Sequence, residues 1–189
     1  ARRQEVEKML NENKAQAAVA LTNALDSGDP QVQKNAADIL VRMSGSQDFI
    51  IQDKALASMI SILKASHSAE VKANLLRTLG HVGPRNERIQ NTVLEYLSKD
   101  DEVAVRIAAS EAVSELMRIE KASEVADATK VLCSVLKNDI SPHVRSSIAR
   151  AMTYSPASAS SVVDALIAAL DDNYKEVRVS AFKALATFG

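Results

Sequence analysis

Asp171-Asp172-Asn173-Tyr174-Lys175-Glu176-Val177-Arg178-Val179-Ser180-Ala181-Phe182-Lys183-Ala184-Leu185 is a polar turn running into an amphipathic helix, and looser copies of it recur four more times along the chain. Anchored on one valine, the copies bring Val32-Gln33, Val71-Lys72, Val105-Arg106, Val144-Arg145 and Val177-Arg178 into register, at successive spacings of 39, 34, 39 and 33 residues. One aliphatic stretch of helical periodicity precedes each turn and another follows it. A single helix pair cannot bury its own apolar face, so a repeat of this length predicts stacking of neighbours into an α-helical solenoid. The expected fold is all-α, an α-α superhelix of about five helix pairs in one domain, 1–189, with repeats at approximately 1–44, 47–83, 86–119, 121–155 and 158–189.

Arg2 to Leu25 reads as one long helix, or two short ones meeting near Asn11-Glu12-Asn13, with a weak stripe of Val6, Met9 and Leu10 and a stronger one from Ala17 to Leu25. Asp29 stands as N-cap before Pro30, a first-turn position where the missing N–H costs nothing, and Ser141-Pro142 repeats that start. The second helix of repeat one should carry Val32, Ala36, Ile39 and Leu40 inward, and the first helix of repeat five Val162, Val163, Leu166, Ile167 and Leu170. Gly80-His81-Val82-Gly83-Pro84 is the plainest stop, and no stretch is long enough to be a linker between domains.

A hydrophobic content of 47% excludes a disordered chain, while aromatic residues at 3% and the absence of Trp leave Ala, Leu, Val and Ile to fill the core. Such side chains suit thin layers of closely packed helices. The 23 basic and 24 acidic residues create no global field that would gather nucleic acid or an anionic membrane. That balance holds locally, with six of each sign from Ala1 to Met43 and, at its most uneven, five basic against seven acidic from Pro84 to Arg118. Cys133 is the sole cysteine, so no internal disulfide forms, which is compatible with a cytoplasmic location. Between Leu132 and Val135 it should face the core and be inert. No run approaches the roughly 18 apolar residues of a membrane span, and Ala1-Arg2-Arg3-Gln4-Glu5 does not read as a signal peptide. A start other than Met leaves room for processing or for a longer parent chain.

The residues that follow the anchoring valines, Gln33, Lys72, Arg106, Arg145 and Arg178, stack in a repeat array into a ladder along one edge. Acidic turn residues, Asp26, Asp100 or Asp101, Asp139, and Asp171 or Asp172, are placed to pair with it and to accept bonds from helix-start amides. That role is structural; binding of phosphate or peptide is the alternative.

The polar turn, the Val-Arg pair, the small residues after it and the closing Ala-Leu resemble the second helix of a HEAT repeat, within the wider armadillo-like class. Val105-Arg106 to Ala112-Val113, Val144-Arg145 to Ala151-Met152 and Val177-Arg178 to Ala184-Leu185 match best, and repeat one departs most, with Gln33 where the family prefers Arg. The resemblance implies antiparallel helix pairs in a right-handed superhelix, the second helix of each lining the concave side. It also favours the structural reading of the ladder. For function it implies a support rather than a chemistry, since such repeats are generic scaffolds. Five positions beyond the ladder, Asp38, Arg77, Glu111, Arg150 and Lys183 form a second column on the concave side. Its alternating charges disfavour a nucleic-acid track and fit a mixed polar surface, either an unspecialised solvated face or one that binds a protein partner.

Enzyme readings lack the residues they need. His67 and His81 sit at or near turns of repeat two and His143 at a turn of repeat four, with no HExxH and no cysteine beside them. Adjacent turn carboxylates such as Asp100-Asp101-Glu102 more often cap helices than perform acid–base chemistry. HEAT-like hydroxylases carry His-Glu dipeptides and HEAT-like DNA glycosylases a basic cradle with aromatic residues, and neither pattern is present. Phycobilin lyases resemble the same class, so an enzyme or lyase subunit acting on a small molecule or cofactor is the alternative to a non-catalytic scaffold. The scaffold reading names no catalytic residue, no metal and no cofactor. At the ends, Arg2, Arg3, Glu5, Glu7 and Lys8 suggest a polar cap, whereas Val179, Phe182 and Phe188 make the last helix apolar around more of its circumference. Phe182 or Phe188 is expected to meet another copy, a further repeat of a longer parent or a partner; the alternative is that one ring tucks against the first helix of its own repeat and the other is merely exposed.

Overall fold

The computed structural model describes residues 2–25, 27, 29–44, 53–82, 86–119, 126–155 and 160–188. Among them are ten α-helices and no strand: α1 Arg2–Leu25, α2 Pro30–Ser44, α3 Asp53–Ala65, α4 Ala69–Val82, α5 Glu87–Lys99, α6 Val103–Ile119, α7 Ala126–Asn138, α8 Pro142–Ala151, α9 Ser160–Ala169 and α10 Lys175–Leu185. Arg2 to Leu25 is therefore one helix. The side chains of Val6, Met9, Leu10 and the charged residues around them lie outside the described residues, as does Asp26.

Local chemistry explains the helix ends. Asp29 accepts from the amide of Gln31 at 2.8 Å just ahead of Pro30, and Asn86 accepts from the amide of Ile89 at 3.2 Å to start α5. Ser141 holds the cap position before Pro142, but its side chain makes no capping bond. Asp139 acts two residues earlier instead, accepting from the Ser141 amide at 2.8 Å. The same bond recurs at the equivalent place in other turns, from the Ser68 amide to Ser66 at 3.2 Å, Glu102 to Asp100 at 2.9 Å and Tyr174 to Asp172 at 2.9 Å.

Consecutive helices pack as pairs, and the pairs stack so that α1, α3, α5, α7 and α9 make one layer and α2, α4, α6, α8 and α10 the other. The core between them is aliphatic, with Leu40, Leu63, Leu75, Leu76, Leu79, Leu97, Leu132 and Ile148 fully buried. In the first layer α3 and α5 are linked through Tyr96, whose hydroxyl donates to the Leu63 carbonyl at 3.0 Å. The second layer is packed more closely, above all α4 against α6. That approach depends on Gly80: a Cβ built there would lie 2.6 Å from the Ala112 Cα and 2.8 Å from its Cβ.

Three residues expected inside are not. Val32 and Ile39 are 39% and 37% exposed, while Ala36 and Leu40 on the same helix are buried. Seven residues apart, they share the side of α2 that in later second helices faces the preceding repeat, as Ala112 faces Gly80. No described element covers that side of α2. Ile167 is 52% exposed because Val162, Leu166 and Ala169 already define the buried face of α9, and Ile167 is turned roughly 100° from Leu166.

Substituting Gly80 with Ala tests the α4–α6 contact against intrinsic propensity. Alanine gains up to about 1 kcal/mol as a helix former, whereas overpacking against a backbone atom costs about 1–3 kcal/mol. The variant should be the less stable protein, read as a lower urea midpoint with an unchanged slope.

Candidate functional site

Two stacked columns run along the second helices, and they are built differently. In the ladder Arg106 and Arg145 each reach back to their own turn and forward to the next. The Arg106 Nη1 donates to the Asp100 and Asp101 carbonyls at 2.9 and 3.0 Å, while its Nε and Nη2 hold the Asp139 carboxylate at 2.7 and 3.1 Å. Arg145 repeats this, with Nη1 on the Asp139 carbonyl at 2.6 Å and Nε and Nη2 on Asp172 at 2.8 and 2.9 Å. Lys72 makes a single bond to Asp100 at 3.0 Å, its ammonium 5.7 Å from the Tyr96 ring centre. Gln33 reaches back only, donating to the Ser27 carbonyl at 2.7 Å. Arg178 likewise donates to the Asp172 carbonyl at 2.8 Å.

Of the alternatives left by the sequence, the rungs use Asp100 and Asp172, and Asp101 and Asp171 are exposed. Only the residue five before the anchoring valine both closes its own turn and points toward the preceding repeat. Burial strengthens these bonds, since Arg106 and Asp139 are nearly covered. The bidentate hydrogen bond with Asp139 raises the Arg106 pKa, and that with Asp172 raises the Arg145 pKa. The bond from Arg145 in turn lowers the Asp172 pKa below the ordinary carboxylate range.

The second column is exposed and only partly paired. Asp38 accepts from Asn74 at 2.6 Å, and Arg77 binds Glu111 at 2.7 Å and Asn74 at 3.3 Å. Asn74, a polar residue on the buried side of α4, thus joins the Asp38 and Arg77 positions, a link the sequence columns do not contain. Further along, Arg150 and Lys183 are exposed, and among the described residues neither has an ion-pair partner.

Other candidates are dispersed. His67 and His143 are exposed, and the His81 Nδ1 lies 3.5 Å from Glu115, whose pKa is held down chiefly by its hydrogen bond with Arg118. Cys133 is half-buried against the core, its Sγ 3.5 Å from the Ser161 carbonyl, and burial pushes its thiol pKa up. Among the described residues no group of three or more His, Cys, Asp or Glu is placed to hold a metal ion, and no helix is long and apolar enough to cross a membrane. A groove of about 600 Å³ opens beside α5 and α7, its floor aliphatic through Leu97, Val131, Val135 and Ile140 and the rest of its lining polar, with Arg106, Asp139, Lys99, Asp101, Lys130 and Asn138 among it.

Comparison with known proteins agrees with this architecture. The model of the family described as HEAT repeats matches residues 56–153. No curated protein matches the chain. Among solved structures, the chain is similar to an engineered protein at 21% identity, TM-score 0.66, over 90% of this chain and 80% of that one. It is also similar to a designed armadillo repeat protein at 16% identity, TM-score 0.58, over 98% and 94%. A third likeness is to the complex of CpcE and CpcF of phycocyanin lyase from a Nostoc species, at 17% identity and TM-score 0.66, covering 89% of this chain and 97% of that one. At these identities the likeness is one of fold.

Replacing Arg106 with Ala strands a buried carboxylate and two carbonyls, and should lower unfolding free energy by about 3–5 kcal/mol in urea titrations. Asp172 supplies a pH test. Its folded-state pKa is depressed, so its contribution is fully present above the unfolded value of about 3.9 and is lost as pH falls through the lower folded value. Arg145→Gln removes the cause of the depression. That variant should be less stable at pH 7 yet lose less stability between about pH 5 and pH 2, as urea midpoints across the interval will report.

Proposed function

Because this chain belongs to the HEAT-repeat family of α-solenoids, we propose that it is a non-catalytic scaffold holding a protein partner on a concave face lined by the second helices. Closer packing in that layer than in the first supports the curvature, since the side with the shorter spacing becomes the inside of the arc. The observation that carries the reading is the uneven state of the second column. Asp38, Arg77 and Glu111 are tied to one another through Asn74 and a direct ion pair, whereas Arg150 and Lys183, in consecutive repeats, are exposed cations with no described acidic partner. A partner that lays an acidic segment across α8 and α10 satisfies both.

The groove beside α5 and α7 and the likeness to a phycocyanin lyase complex support a second reading, a lyase-like subunit acting on a small molecule or cofactor. Against it, the groove's Arg106, Asp139 and Asp100 are already consumed by the ladder, and the polar groups that remain, among them Lys99, Lys130 and Asn138, are exposed surface residues.

Affinity capture with the intact chain, followed by titration of the recovered partner, separates the two. Arg150→Glu with Lys183→Glu should weaken binding at least about tenfold and reduce its salt dependence. Ile140→Trp, which fills the groove, should leave it unchanged. The opposite pattern would transfer the function to the groove.

A further inference from the structure

The outer face of α10 carries the features that elsewhere in the array are met by the next repeat. Counted from the anchoring valine, Phe182 occupies the fifth position, where Ala37, Leu76, Ser110 and Ala149 are all 0% exposed; Phe182 is 66% exposed. Val179 occupies the second position, where Ala73 and Ser146 are 5% and 7% exposed and Ile107 is partly buried; Val179 is 40% exposed. In the earlier repeats this side meets the following second helix, as the bond of 3.0 Å between the Ser146 and Ser180 hydroxyls shows. Phe188, by contrast, packs against the core of its own chain, so the exposed apolar patch centres on Phe182 and Val179.

The ladder tells what should cover it. Arg106 and Arg145 each give Nη1 to their own turn and Nε with Nη2 to the aspartate of the next. Arg178 has made the first of these bonds, through Nη1 to the Asp172 carbonyl at 2.8 Å, and its Nε and Nη2 edge has no partner among the described residues. Donor and acceptor are matched in charge along the array. Neutral Gln33 precedes a repeat with Ser66 at the rung position, and the cations Lys72, Arg106 and Arg145 precede Asp100, Asp139 and Asp172. Arg178 therefore calls for an aspartate.

We propose that this face docks a further helix pair of the repeat type, its second helix covering Phe182 and Val179 and its turn presenting an aspartate to Arg178. The chain's own first repeat does not fit, since it has Ser27 at the rung position and a second copy stacked head to tail would leave the Arg178 charge uncompensated. The occupant is a unit of matched chemistry other than repeat one.

The test supplies such a unit on the full chain, by joining a duplicate of residues 158–189 after Gly189, its aspartate equivalent to Asp172 coming to the Arg178 rung. Helical signal should rise by the share of an added pair. In a Cys133→Ser background, labelling of Phe182→Cys by a thiol reagent should slow at least about tenfold on joining the unit. Changing the added aspartate to Asn should raise the unfolding equilibrium constant several-fold when Arg178 is present and hardly at all in an Arg178→Gln background. An added unit that stays non-helical, a thiol in the Phe182→Cys variant that labels as fast as before, or effects of the two rung changes that simply add would each overturn the proposal. So would sedimentation showing that the original chain self-associates through a contact dispersed by Phe182→Ser, because the occupant would then be a second copy.

Discussion

Arg106 sits between two turns, binding carbonyls of its own and the carboxylate of the next, and this double attachment governs how one repeat is set upon another. The apolar contacts between second helices are largely alanine, valine and leucine, which attract without direction and would tolerate sliding. A planar guanidinium with a bidentate partner does not. It also solves a local problem: in repeats three and four the turn carbonyls at the end of the first helix lack intrahelical donors, and the arginine supplies them. Register and turn satisfaction thus share a single side chain in these two repeats. Replacing such a pair by hydrocarbon would keep the burial and lose the geometry.

The smallness of the side chains is the second condition. Gly80 lets α4 approach the Ala112 backbone, and no ring is fully buried in the described core. Tyr96 stands at the edge, where its hydroxyl can reach Leu63 across the more open first layer. The second layer is thus packed more tightly than the first without any one residue dedicated to the difference.

Helix pairs, turns and the donor side of the ladder were legible because each has a local signature: aliphatic residues at helical spacing, capping residues, and a cation after every anchoring valine but the first. The acceptors were legible only to within a residue. Asp100 and Asp101 are both acidic and both in the turn, and the choice between them is made by the direction of the chain in space. Asn74 was missed since a polar residue in the middle of an amphipathic helix gives no hint that its neighbour is Asp38, 36 residues away. Val32 and Ile39 were placed inside because periodicity reports which residues share a face and is silent on whether anything covers that face.

The rungs also strengthen along the chain, from Gln33, whose amide bonds only its own turn, through the single bond of Lys72, to the forked bonds of Arg106 and Arg145. In mechanical terms, forked charged bonds would resist a pull along the array among repeats three to five, whereas the joint between the first two repeats has the single Asn74–Asp38 bond beside its apolar packing.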